Sequence, residues 1–241
     1  MRIFVADLHI HSCLSPCAEL DMTPKRIMER AKELGIDMVA VSDHNSAENL
    51  ITAAEAARTR GIAFLPAMEI TSSEEAHVLA IFETPADAAA MQEKVYRNLP
   101  EGENNERLWG EQVIVNAEDE VLGFNTRLLI GSTGMTLKKI VDEVHALGGL
   151  AIASHIDREA FSVLGQLGFI PDDLDFDAFE IINREKRPAG LPDGVPFLCS
   201  SDAHRLQDIG KRSTRFLMES ASFGELKMAL KKQNGRKCLE V

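Results

Sequence analysis

Four short apolar runs in this chain each lead into histidine, and that recurrence limits the folds open to it. Residues 3–6 lead into Asp7-Leu8-His9-Ile10-His11-Ser12. Residues 38–41, 150–153 and 195–199 lead into His44, His155 and His204. A fifth run, 62–68, ends at Glu69. On an extended segment residues i and i+2 face one side, so His9 and His11 can aim two imidazoles at one point. Neutral imidazole is the commonest protein ligand for zinc-like metals. An isolated His-x-His is more often two unrelated side chains. The weight of the argument therefore lies on where the other histidines and carboxylates fall.

The segments between the runs carry helix signals. Thr23-Pro24 pairs a cap with a proline at the first helical position, for a helix ending at Gly35. Asn45-Ser46-Ala47-Glu48 resembles a capping box for an Ala-rich helix ending near Gly61. Thr84-Pro85 opens a helix to about residue 98. Thr136 caps one with apolar residues at Leu137, Ile140, Val141, Val144 and Leu147, a helical period. Further helices are predicted over 159–167 and after Ser222, with strands over 176–182 and 214–218 and an edge strand over 236–241. Residues 70–76 are too few for a parallel crossover, so 77–82 is expected to return antiparallel and bring His77 beside Glu69. Residues 100–109 read as a charged loop, with extended stretches at 113–115 and 120–124. The reading is one domain over 1–241 with an insert at about 84–135. Alternating strands and helices predict a mainly parallel sheet or barrel, whose active sites lie at the carboxyl edge.

Composition narrows the chemistry. A net charge of −12 argues against a broad nucleic-acid surface. One Trp and one Tyr leave no obvious stacking platform for long nucleic acid. Acidity does not exclude an anionic substrate, because bound cations reverse the local sign. The four cysteines form no C-x-x-C pair, which suits reduced thiols in the cytoplasm. Neither a signal peptide nor an apolar run of the ~20 residues that span a bilayer is present, so a cytoplasmic protein with no membrane contact is expected.

Six of the seven histidines thus share one structural address with Asp7, Asp43, Glu69 and Asp202; His145 falls mid-helix and reads as structural or solvated. Such a set suits catalytic Zn, Mn or Fe, and Glu69 could bridge two ions. The competing readings are hydrogen-bonded core histidines, a Ser42-Asp43-His44-Asn45 turn that only starts a helix, and an Asp202 that only caps one.

These residues also carry a resemblance. Asp7-Leu8-His9-Ile10-His11-Ser12, Ser42-Asp43-His44-Asn45, Ala153-Ser154-His155-Ile156-Asp157-Arg158 and Ser200-Ser201-Asp202-Ala203-His204 occur in order, with Met68-Glu69-Ile70 and His77-Val78-Leu79 between the second and third. In this the chain resembles the polymerase and histidinol phosphatase (PHP) domain family. The resemblance implies an α/β fold, a distorted (β/α)7 barrel with an inserted segment, and a two- or three-metal site (Zn, Mn or Fe) that hydrolyses phosphate esters. It implies a first metal on His9, His11, Glu69 and Asp202, and a second on Glu69, His77 and His155. A third would use His44, His204 and a ligand from the loop after His11. Where the family places Asp or His in that loop, this chain has Pro16 and Cys17, so Cys17 is either a thiolate ligand or a free thiol. The family often carries Arg at the position of Arg158, which would bind phosphate; Arg184 is the next candidate, and Lys211 and Arg212 follow His204.

The expected mechanism is attack by a metal-activated water, with Arg158 stabilising charge on the phosphoryl oxygens. Asp43 and His204 are the candidate general acids. The Ala153–Arg158 motif looks more like those of the family's small nucleotide or oligonucleotide phosphoesterases. A small phosphorylated substrate or short oligonucleotide is therefore expected. Histidinol phosphate or another small phosphomonoester is the enzymatic alternative, and a metal-binding regulatory module without turnover is the alternative of a different class.

Overall fold

The computed structural model describes residues 1–239 apart from 186, 190 and 193. β1 (Arg2–Ile10) is followed by α1 (Pro24–Glu33), β2 (Met38–Val41), α2 (Leu50–Arg60), β3 (Ala63–Thr71) and β4 (His77–Ile81). Then come α3 (Pro85–Tyr96), the single turn α4 (Glu106–Trp109) and the hairpin of β5 (Val113–Val115) and β6 (Val121–Phe124). The alternation resumes with α5 (Leu137–Ala146), β7 (Leu150–Ala153), α6 (Val163–Leu167), β8 (Ala178–Glu180) and β9 (Phe197–Leu198). A 3-10 turn (Leu206–Asp208), β10 (Thr214–Met218), α7 (Phe223–Leu230) and β11 (Lys237–Cys238) follow.

The main sheet runs β11-β10-β1-β2-β3-β4-β7-β8-β9. β1, β2 and β3 are parallel, β4 is antiparallel to both neighbours, and β7, β8 and β9 are parallel again. The far edge returns to the start: Ile10 bridges Ala203, and His11 N–H donates to the Ala203 carbonyl at 2.9 Å. Seven strands, β1 to β4 and β7 to β9, therefore make a nearly closed, mixed α/β barrel. β10 fills the gap below Ala203 by pairing antiparallel with β1, and its Thr214 hydroxyl accepts the Cys199 N–H at 2.8 Å.

Both faces of the wall are covered, which is why its strands read as continuous apolar runs. Met38, Ala40, Leu65, Leu79 and Ile152 pack inside the barrel. Val39, Val41, Met68 and Val78 pack outward against α1, α2 and α5. Phe223, Leu226 and Leu230 of α7 join the inner cluster, and Lys227 reaches the Gly148 carbonyl, so α7 closes the amino-end floor. The rim opposite is left to polar side chains.

The predicted caps form. Thr23, Thr84 and Thr136 accept N–H bonds three residues on, at 3.2–3.3 Å. Two helix starts differ from expectation. α2 begins at Leu50, with Asn49 as its cap, because the Asn45 side chain is spent elsewhere. α6 begins at Val163, because Phe161 sits at φ +57° and Ser162 caps the turn after it. The charged loop contains one helical turn, α4.

The insert docks on the rim through side chains of the barrel. Asn49 bonds both the Val113 carbonyl and the Val115 N–H, at 3.1 Å each, and Thr52 donates to the Val115 carbonyl. Asn45 Nδ2 donates to the Leu129 and Gly131 carbonyls, at 2.8 Å each. No helix among the described residues is long and apolar enough to cross a membrane.

Candidate metal centre

Glu69, at the end of β3, is the hub of the rim. Its Oε1 lies 3.0 Å from His77 Nδ1, 3.2 Å from His155 Nε2 and 3.3 Å from His9 Nε2. Its Oε2 lies 3.3 Å from His44 Nδ1 and 3.4 Å from His11 Nε2. Asp202 Oδ1 faces the same two β1 histidines, at 3.5 Å from His9 and 3.3 Å from His11. The topology explains the convergence. His9 near the end of β1 and His11 just past it are two residues apart on extended chain and so share a side. β4 pairs with β3 so that Thr71 lies opposite His77, which brings His77 back to the Glu69 edge as expected. His155 (φ +28°) and Asp202 (φ +52°) turn sharply where the chain leaves β7 and β9. Asp202 thus faces the histidines rather than capping a helix; the cap of the following 3-10 turn is Arg205.

The outer nitrogens of the β1 imidazoles are fixed from behind. His9 Nδ1 is 2.9 Å from Glu180 Oε2, an acceptor, so Nδ1 carries a proton and Nε2 is the nitrogen aimed at Glu69 and Asp202. His11 Nδ1 is 3.0 Å from Ser15 Oγ, whose own proton goes to Asp43 at 2.7 Å. His11 therefore also presents Nε2. His9 Nε2 and His11 Nε2 face each other at 3.2 Å.

Electrostatics favour a cation. Burial alone would raise Glu69, yet interaction with His77 and His9 holds its carboxyl well below the usual range. Asp202 is likewise pulled far down against its burial by His9 and His11. Burial, with His204 nearby, lowers His11 to about 4. Burial, then His11, holds His44 well below normal. Burial opposes protonation of His9, but Glu180, Glu69 and Asp202 outweigh it and raise its pKa well above normal. The ring proton of His9 stands where a cation would neutralise the same carboxylates.

Three donor groups have all their ligand atoms within 4.8 Å of one another: His9, His11 and Asp202; His44, Glu69 and His77; and His11, His44 and His204. The buried Nδ1 atoms of His44 and His77 face Glu69 at 3.3 and 3.0 Å without hydrogen-bond geometry, an arrangement that suits nitrogens and a carboxylate sharing an ion. Nitrogen and carboxylate donors without a thiolate majority fit the divalent ions expected. His44 lies close to Glu69 and His77, and His155 Nε2 also meets Glu69 Oε1, at 3.2 Å. The third group joins His11 to His44 and His204, and Cys17 is exposed at the mouth of the same cavity.

A cavity of about 210 Å³ opens over these groups, lined also by Arg158, Phe161 and Ile130. Cavities of about 360 and 330 Å³ elsewhere on the surface lack the histidines. Arg158 is half-exposed at the cavity, 2.7 Å from Asp202 Oδ2. Three expected site residues are elsewhere. Arg184 lies four residues past the end of β8, and its guanidinium bonds the Ser213 carbonyl outside the cavity lining. Arg212 is spent on the carbonyls of Ser200 and Ser201, holding the loop that carries Asp202 and His204. Asp43 is buried behind His11, where both oxygens accept from Ser12 and Ser15, so it positions the rim and cannot reach a leaving group.

One functional residue, Glu180, escaped the sequence reading. Glu180 orients His9 and accepts the His155 N–H at 3.1 Å. Its signal was an acid near the end of an apolar strand, the feature that singled out Glu69. Asp7 was noticed as an acid at this edge, but its work is structural. It accepts N–H bonds from Ser201 and Gly210, both 2.9 Å, and burial raises its pKa to about 6.

Comparison with known proteins agrees with this geometry. Residues 7–101 match the PHP domain. The chain is 27% identical over 274 aligned positions to the uncharacterized protein YqxK of Bacillus subtilis, covering 99% of this chain and 65% of that one. Over 86 residues it is 35% identical to a 3',5'-nucleoside bisphosphate phosphatase of Chromobacterium violaceum, covering 34% of this chain and 29% of that one. Its fold matches that of the lesion-specific endonuclease PfuEndoQ from Pyrococcus furiosus with a TM-score of 0.73 at 22% identity, covering 98% of this chain and 58% of that one. The chain spans less than two thirds of the length of each of these relatives. Residues 7–101 thus match the PHP domain, and the whole chain shares its barrel fold with PfuEndoQ.

Proposed function

We propose that this protein is a metal-dependent hydrolase of phosphate esters that acts on a small nucleotide or a short oligonucleotide. The observation that carries the reading is the set of three donor groups joined through His11 and His44 under one cavity with an arginine at its edge. His9, His11 and Asp202 would hold one ion, and Glu69, His77 and His155, whose ring nitrogens meet Glu69 Oε1 at 3.0 and 3.2 Å, a second. His11 has one free nitrogen, since Nδ1 is committed to Ser15. A third ion would therefore rest on His44, His204 and a further donor, for which Cys17 at the mouth is the candidate. Zn, Mn and Fe all suit these donors. Such ions, when bound, lower the pKa of a water toward neutrality and neutralise phosphoryl charge.

The chain's own groups do the rest. Arg158 keeps N–H donors free beyond its bond to Asp202, and its planar fork suits phosphoryl oxygens. His204 Nδ1 is held by the Asp202 carbonyl at 2.9 Å, so Nε2 is its free atom: it would ligate a third ion where one binds, and in a two-ion site it is the atom that can pass a proton to a leaving oxygen. The insert at about 84–135 belongs to the same working domain, since Ile130 helps line the cavity. The bisphosphate phosphatase and the endonuclease among the relatives support a nucleotide substrate, and the net charge of −12 supports a small one.

The test is phosphate release from nucleotides, 3',5'-bisphosphates, short oligonucleotides, sugar phosphates and histidinol phosphate, using protein whose metal content is known. Turnover of the nucleotide class, lost to chelator and cut at least about a hundredfold by His9→Ala, is expected. Metal-loaded protein inert on every ester would make it a regulatory module. Full activity in a metal-bound His9→Ala variant would overturn the scheme.

A further inference from the structure

Phe161 has a backbone conformation that bulky residues rarely adopt, φ +57°. Two contacts hold it there. Its carbonyl accepts the His77 N–H at 2.9 Å, and its ring lies on the His77 imidazole at 4.9 Å between centroids and 16° between planes. The ring nevertheless stays 44% exposed. Among the described large hydrophobic residues left exposed, it is the one that lines the metal cavity. Core packing does not account for a phenyl ring held in water by a strained backbone.

Cavity size says what the ring meets. At about 210 Å³ the space falls below the roughly 300–1,000 Å³ that encloses a whole drug-sized ligand. It can take a phosphoryl group and adjoining atoms, while the remainder of a nucleotide must lie at the mouth. There the apolar surfaces are Phe161 and Ile130, the latter on the loop that Asn45 clamps at Leu129 and Gly131. One face of the Phe161 ring is taken by His77, so the exposed remainder is what a ligand can reach.

We infer that Phe161 is the stacking platform for the substrate's base, with Ile130 as a second apolar wall. The inference rests on the phosphoesterase reading and names the substrate class as one carrying a planar aromatic group. Stacking on a side chain tolerates every base, because each has a flat face.

The experiment compares adenosine 5'-monophosphate with ribose 5-phosphate on metal-loaded protein, for the wild type and for Phe161→Ala, Phe161→Leu and Phe161→Trp. The wild type is expected to favour the nucleotide through KM. Phe161→Ala and Phe161→Leu should raise KM for the nucleotide by about tenfold. Ribose 5-phosphate kinetics should change several-fold less than those of the nucleotide, and Phe161→Trp should keep the wild-type preference. Equal losses on both substrates would mean that Phe161 only supports His77 and would overturn the inference. So would a wild type indifferent to the base, or a Leu variant equal to it. Should the wild type turn over neither compound while hydrolysing no other ester, the phosphoesterase reading fails separately. Calorimetric binding of the same two compounds then decides, with equal affinities overturning the platform.

Discussion

Asn45 shows how much of this rim hangs on single side chains. It sits at φ +52° between His44 and the start of the next helix. Its Nδ2 holds two carbonyls of the insert, and its Oδ1 accepts the Thr71 N–H at 3.1 Å. The sequence offered two readings of Ser42-Asp43-His44-Asn45, a metal motif or a helix-starting turn. The side chains divide the work differently: His44 faces Glu69, Asp43 steadies Ser12 and Ser15, and Asn45 ties the insert to β3. Replacing Asn45 with Ala removes three hydrogen bonds and a residue type that tolerates positive φ. A loss of about 2–4 kcal/mol is expected in urea unfolding. Amide exchange over residues 126–133 should quicken at the same time. Asn45→Gly, which keeps the backbone freedom, should lose less. An Asn45→Ala protein with wild-type stability and exchange would show that the insert is anchored elsewhere.

At the level of elements, the helices were legible wherever a cap and an apolar period coincided, as at Thr23 and Thr136. They were misplaced where tertiary contacts took the capping residue, as at Asn45, or bent the backbone, as at Phe161. The strands 176–182 and 195–199 shrink to Ala178–Glu180 and Phe197–Leu198, because the two share only the pairs Phe179–Phe197 and Glu180–Leu198. His145 was set aside as structural, and it joins α5 to the strand region beyond: its Nε2 lies 2.9 Å from Asp177 Oδ2, which also accepts the Ala151 N–H. The bond to Asp177 raises the pKa of His145 above 6.5, although partial burial opposes it. A raised histidine contributes stability that is complete below its unfolded pKa of about 6.5 and fades as pH climbs through the folded value. His145→Ala should therefore lower Tm more at pH 5.5 than at pH 8.5. The wild-type-minus-variant difference at each pH cancels the titration of the metal rim. The same difference at both pH values would mean that the pair adds no charge-dependent stability.

For the whole molecule, sequence showed which residues meet but not how they share ions. His9, His11, His44, His155 and His204 lie at or just past the carboxyl ends of strands, so topology alone sends them to one rim. Their grouping depends on ring nitrogens turned by Glu180 and Ser15, and on an insert whose Ile130 carries no motif. That rim draws on segments from residue 9 to residue 204, so a bound ion ties together strands from both ends of the barrel. The unfolded chain has no such arrangement, and an ion that binds only the folded form stabilises it by mass action, about 2.7 kcal/mol at a hundred times Kd. For a chain of this length that is a Tm rise of about 5–10 °C. Chelator-treated protein titrated with Zn, Mn or Fe(II) should show Tm climbing with the logarithm of free ion. His11→Ala should flatten the climb, because His11 enters two donor groups. A Tm unmoved by all three ions would leave the buried carboxylates Glu69 and Asp202 to be balanced by the histidines around them and by Arg158, and the rim would then be an ion-pair network rather than a metal centre.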